Sequence, residues 1–152
     1  MTHSHILAAG YWQDLGTELA AGLLYGVVGI VLLVLGYVMI DVLTPGNLGR
    51  QLCEDRNRNA GVIVCSALLA IGIIVTSAII ASDGDLEKGL GESAGFGLVG
   101  IALLGIAFVV IDLITPGKLG DIVMGEEGHE PMVFVTGAAL LSVGGIVAAA
   151  IS

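Results

Sequence analysis

The 152-residue chain is 56% hydrophobic and 12% charged, with a mean hydropathy of +1.00. A soluble domain carries roughly 25% charged residues, so this chain has too little polar surface to face water throughout. Its 14 acidic against 5 basic residues give a net charge of −9, which excludes a phosphate-tracking nucleic-acid binder and leaves no polybasic anchor for anionic lipid.

Residues 1–18 contain no Lys or Arg, so the basic region of a cleavable signal peptide is missing and the segment is expected to stay attached. Tyr11 and Trp12 precede the first apolar run and are expected to anchor a short turn at headgroup level. Four uncharged stretches follow, at 19–40, 60–82, 93–111 and 131–152. Each is close to the roughly 20 residues that cross a hydrocarbon core as a helix. In lipid every backbone amide must pair within its own segment, which a helix achieves and a lone strand does not. The expected fold class is an all-α membrane protein with four transmembrane helices in one membrane domain, 1–152.

Short links at 41–59, 83–92 and 112–130 make sequential helices antiparallel neighbours. Arg50, Arg56, Arg58 and Lys118 lie in the first and third links, and only Lys88 in the middle one. The positive-inside rule therefore places 41–59 and 112–130 in the cytoplasm and both termini outside. Cys53 falls in a polar link and Cys65 in an apolar run, so two unpaired thiols are expected.

The chain also repeats itself at an offset of 71 residues. Asp41-Val-Leu-Thr-Pro-Gly-Asn-Leu-Gly49 matches Asp112-Leu-Ile-Thr-Pro-Gly-Lys-Leu-Gly120, and 14 of the 24 positions from 26 to 49 are identical to their counterparts. Similar apolar composition does not produce an ungapped D-x-x-T-P-G-x-L-G twice. The units, about 19–82 and 93–152, each cross the membrane twice and so share one orientation, a parallel repeat about an axis along the membrane normal. The match between the second and fourth spans is far weaker.

Thr-Pro reads as a helix start, with the Thr44 hydroxyl as cap and Pro45 in the first helical position, where no amide donor is needed. Leu48 and Leu52 recur at helical spacing, as do Leu119, Ile122 and Val123. A short interfacial helix is expected after the first and third spans. Asp41 and Asp112 sit at the negative ends of their helix dipoles, an unfavourable place for a carboxylate. Two readings explain this. Each Asp accepts hydrogen bonds from the following turn, or the pair faces the repeat axis and binds a proton or cation. Asp41, Thr44, Pro45 and Gly46 with Asp112, Thr115, Pro116 and Gly117 are thus the candidate ion or partner site. Gly22, Gly26, Gly29, Gly97 and Gly100 are the candidate helix-packing positions, joined by Ser66 with Ala70 and by Gly144, Gly145 and Ala148.

Glu126, Glu127, His129 and Glu130 match no metal-ligand spacing, and the acidic link from Asp83 to Glu92 has no EF-hand pattern. No phosphate loop, nucleophile elbow or triad is present, and the spans carry no charge at mid-membrane. No metal, cofactor or enzymatic activity is expected.

Two tandem units, each a span ending in Asp, then L/I-T-P-G-x-L-G, then an Asn-initiated span at Asn59, resemble the DUF350 family, also called UPF0719 transmembrane proteins. The resemblance runs from about residue 19 to 151, with Glu130 standing where a second Asn would align. It implies a four-helix protein of the bacterial inner membrane and supplies no catalytic residues. The expected role is a non-enzymatic oligomer that contacts the lipid bilayer, pairs with copies of itself and presents its cytoplasmic elements to a protein partner. The alternative is an ion or small-solute pathway through Asp41 and Asp112.

Overall fold

The computed structural model describes residues 2–44, 48–82, 84–114 and 131–152. Five helices occupy these residues: α1 (Thr2–Leu43), α2 (Leu48–Cys53), α3 (Arg58–Ile80), α4 (Leu86–Ile114) and α5 (Pro131–Ile151). Four of them, over Leu15–Leu43, Arg58–Ile80, Leu86–Ile114 and Pro131–Ile151, are long and apolar enough to cross a bilayer. The protein is an all-helical, multi-pass transmembrane chain.

Local rules set the helix ends. No proline interrupts the sequence from Thr2 to Leu43, and α1 stops where Thr44 precedes Pro45, whose ring crowds the preceding residue out of the helical region. The expected interfacial turn around Tyr11 and Trp12 is therefore replaced by continuous helix backbone. Asn57, rather than Asn59, initiates the second span. Its Oδ1 accepts from the Asn59 amide at 2.9 Å and the Ala60 amide at 3.2 Å, which satisfies two of the free donors at a helix start. At α4 the Gly89 amide reaches the Asp85 carbonyl at 2.7 Å, and Glu87 in the first turn complements the positive end of the dipole. Most of the expected 83–92 link is consequently helical. Pro131 opens α5, where its missing N–H costs nothing.

Contacts between glycines and neighbouring side chains define the directions of the helices. Gly29 of α1 lies against Val75 and Ile79 of α3, and Gly36 against Ile71, so these two helices run antiparallel. Leu32 and Met39 of α1 meet Gly97 and Gly105 of α4 in rising order, so that pair is parallel. The same holds for α3 and α5, where Ser66 meets Gly137 and Ala70 meets Gly144. Both α3 and α4 touch α1 and α5 and each other, while α1 and α5 lie on opposite sides. The bundle is thus a diamond with α3 and α4 across its short diagonal.

The core follows from this plan. Ile63, Ala67, Ala70, Ile71, Ile74 and Ala78 of α3 are buried, and Leu104, Phe108, Val133 and Leu140 close around them. Gly144 allows the tightest approach: a Cβ there would stand 2.8 Å from the Ala70 Cα, so α5 reaches α3 backbone to backbone. The Ser77 hydroxyl donates to the Ala148 carbonyl at 2.7 Å across the same seam. Outward faces are equally apolar: Leu23 is 72% and Val42 78% exposed, an arrangement stable against acyl chains and not against water.

Gly29, Gly97 and Gly100 occupy packed positions, as their spacing suggested. Gly22 and Gly26 do not: among the described residues nothing lies within 4 Å of a Cβ built at either. The α3 helix ends at Ile80, and Ser82 is already level with Tyr25, whose hydroxyl stands 3.5 Å from the Ser82 Oγ. The part of α1 before Tyr25 has therefore run past the end of α3.

Candidate functional site

The end of the bundle where α1 gives way to α2 and α3 concentrates the polar chemistry. Asp41, in the last turn of α1, turns its Oδ1 to the amide of Leu48 at 3.0 Å. Leu48 is the first residue of α2 and is 1% exposed, so this contact fixes where the short helix begins. The carboxylate supplies a cap and meets the positive end of the α2 dipole, which offsets its poor position at the negative end of α1. Of the two readings of Asp41, the hydrogen-bonding one is the geometry found.

Thr44 does not take the capping role foreseen for it. Its amide bonds to the Ile40 carbonyl at 2.9 Å, and its buried hydroxyl has no hydrogen-bond partner among the described residues. Asp41, one turn earlier, does the capping instead. Pro45, Gly46, Thr115, Pro116 and Gly117 lie outside the described residues, as does the helix expected after the third span.

Leu48 and Gln51 of α2 face inward, and Arg50 and Glu54 form an exposed ion pair at 3.1 Å on the outer side. Leu52, half-buried and packed against the same core, completes the Leu48–Leu52 stripe read from the sequence, and Gln51 widens it. The chain then reverses through Arg56, whose φ of 48° is left-handed, and the Asn57 amide returns to the Gln51 carbonyl at 2.9 Å. Beside them Asn59 is buried, and Arg58 points outward without a salt bridge to any described residue.

Asp112, on α4, is half-buried and already interacts with a neighbour. The contacts Leu32–Gly97 and Met39–Gly105 set the register of α1 on α4. In that register the point of α4 level with Asp41 comes more than a turn before Asp112, roughly 8 Å of axial rise. The two carboxylates are not level with each other.

Sequence reasoning missed Gln51 and Arg58 as members of this corner. For Gln51 a signal existed, its i+3 spacing from Leu48. Arg58 was counted only as a topological charge. No group of three or more potential metal ligands occurs among the described residues. Cys53 and Cys65 are both free and exposed.

The family model described as Domain of Unknown Function (DUF350) matches residues 14–151. A UPF0719 transmembrane protein of Mycolicibacterium paratuberculosis is 37% identical over 132 residues, covering 87% of this chain and 87% of the relative. UPF0719 transmembrane proteins of Mycobacterium bovis and Mycobacterium tuberculosis are each 40% identical over 132 residues, 87% of this chain and 86% of theirs. No solved structure matches the chain.

Proposed function

The chain belongs to the DUF350 family of transmembrane proteins, and on that footing we propose that it is a non-enzymatic, oligomeric scaffold of the bacterial plasma membrane. Copies associate through the first half of α1, and the Asp41–Asn59 corner on the cytoplasmic side receives a protein partner. One observation carries this reading. Gly22 and Gly26 form a small-residue pair of the kind that draws helices together in lipid, and among the described residues no neighbour fills it. Gly29, Gly97, Gly100 and Gly144 instead meet side chains of their own bundle, and Gly145, which meets none, has no second glycine one turn away.

The scaffold is built from two copies of one helix–loop–helix unit. The Ser77–Ala148 hydrogen bond joins positions 71 apart, the offset of the D-x-x-T-P-G repeat, and Ser66 meets Gly137 at the same offset. These contacts support a shared register for α3 and α5 alone; α1 and α4 meet at an offset of about 65, and among the described residues no two-fold axis of the diamond relates the units. The inward Leu48 and Gln51 with the outward Arg50–Glu54 pair support an interfacial α2. Arg50, Arg56 and Arg58 near this corner support its cytoplasmic placement.

A cation pathway through Asp41 and Asp112 is the weaker reading, because Asp41 is engaged by Leu48 and the two acids stand at different depths. Crosslinking in native membranes tests the scaffold. Gly22→Cys should give disulfide-linked dimers, and Gly22→Ile with Gly26→Ile should abolish oligomers seen by light scattering in detergent. A protein that stays monomeric before either substitution refutes the proposal.

A further inference from the structure

The diamond arrangement leaves one face of α3 uncovered between α1 and α5. A groove of about 920 Å³ runs along it, with Leu33 of α1 and Ala148 of α5 as walls. Gly61 and Cys65 line this groove and also a second one of about 430 Å³, which continues to Arg58 and Asn59. Both volumes lie in the roughly 300–1,000 Å³ range of ligand sites. On the floor, Gly72 has nothing within 4 Å of where a Cβ would be.

Hydroxyls of Thr76, Ser77 and Ser152 line the channel far from Arg58, but among the lining side chains charge stands at one end only. At one end stand Arg58 and the buried side chains of Asn59 and Ser66. Toward the other, the hydroxyls of Ser77 and Ser152 already donate to the Ala148 and Ala149 carbonyls. The helix start is not itself the anion-binding element, since Asn57 takes the Asn59 and Ala60 amides. That task falls to Arg58, which forms no salt bridge among the described residues although the chain has 14 acidic side chains.

We infer that this groove holds one phospholipid with an anionic headgroup, its phosphate on Arg58 and an acyl chain laid along Gly61, Cys65 and Gly72. Guanidinium binds phosphate in a two-pronged geometry, and basic recesses between transmembrane helices are where acidic lipids settle. The span from Arg58 to Gly72 is about 21 Å along the helix, enough to pass from headgroup level through the roughly 15 Å half-thickness of the hydrocarbon core. With a net charge of −9 and no polybasic cluster, general attraction cannot concentrate acidic lipid on this protein. Selectivity has to come from the local site.

Native mass spectrometry of the full chain, exchanged from detergent with phosphatidylglycerol or phosphatidylcholine, tests this. Wild type should retain phosphatidylglycerol in preference, and Arg58→Gln should cut that preference about fivefold, the worth of one basic contact near a membrane surface. Among the described residues a Cβ at Gly72 meets nothing within 4 Å, so Gly72→Leu, directed into the groove, should fold and lose both lipids. Glycerophosphoglycerol, the same headgroup without tails, should not displace the lipid. Equal retention of the two lipids by wild type overturns the inference, as does unchanged retention in Gly72→Leu. A Cys65–Cys65 crosslink between copies, in a Cys53→Ser background, would overturn it too, because a second helix would then occupy the groove.

Discussion

Asp41 illustrates how one side chain is made tolerable by its neighbour. Alone it opposes the dipole of α1; bonded to the Leu48 amide it starts α2. Asp41→Ala should lower stability by about 1 kcal/mol, the usual cost of losing a cap, whereas Asp41→Asn keeps an acceptor and should cost only a few tenths. Thermal unfolding in detergent separates the two. Arg56 is the opposite case, a bulky residue at φ 48° in a conformation that glycine adopts freely. Arg56→Gly should therefore raise stability by about 1 kcal/mol in the same measurement. The repeated Asp was visible in the sequence and so was its capping option. The left-handed residue was not, because nothing in the string Glu54-Asp55-Arg56-Asn57 marks a reversal as Gly would.

At the level of helices, two glycines on facing elements should behave oppositely. At Gly144 an added methyl would press on the Ala70 backbone, which cannot give way as a side-chain tip can. Gly144→Ala should destabilise by roughly 1–3 kcal/mol through overpacking. Gly72→Ala meets open space and should stabilise by about 0.5–1 kcal/mol through the lower backbone entropy of Ala. Denaturant titration of both variants checks the sign. Neither outcome can be read from the sequence, where both are glycines in apolar runs. In water a helix shows its buried face by contrast with a polar one, but here the outward face is apolar too. Hence the four spans were legible, while the choice of Gly29, Gly97 and Gly100 over Gly22 and Gly26 as packed positions was not. Boundaries suffered similarly: charge marked 83–92 as a link, although Glu87 in the first turn suits a helix start and Lys88 pairs with Glu92 one turn on.

Considered whole, the molecule is a diamond with two exposed features of different kinds, a groove on α3 and the bare early part of α1. The expected four spans and the motif-bearing corner are present, and the arrangement of helices around the short diagonal came only from tertiary contacts. Blocking the bare surface should change assembly without changing fold. Gly22→Ile with Gly26→Ile should leave the unfolding temperature of the monomer nearly unaltered, since neither glycine touches the bundle, while the oligomer is lost. Light scattering alongside circular dichroism reads both at once.

The α1 helix of 42 residues is about 63 Å long, against about 35 Å for the 23-residue α3. It contains no joint that would absorb motion. Mechanically it is a lever clamped by the bundle from Gly29 onward: the free part before Tyr25 is about 35 Å long, and a 10° swing about that point moves the far tip about 6 Å.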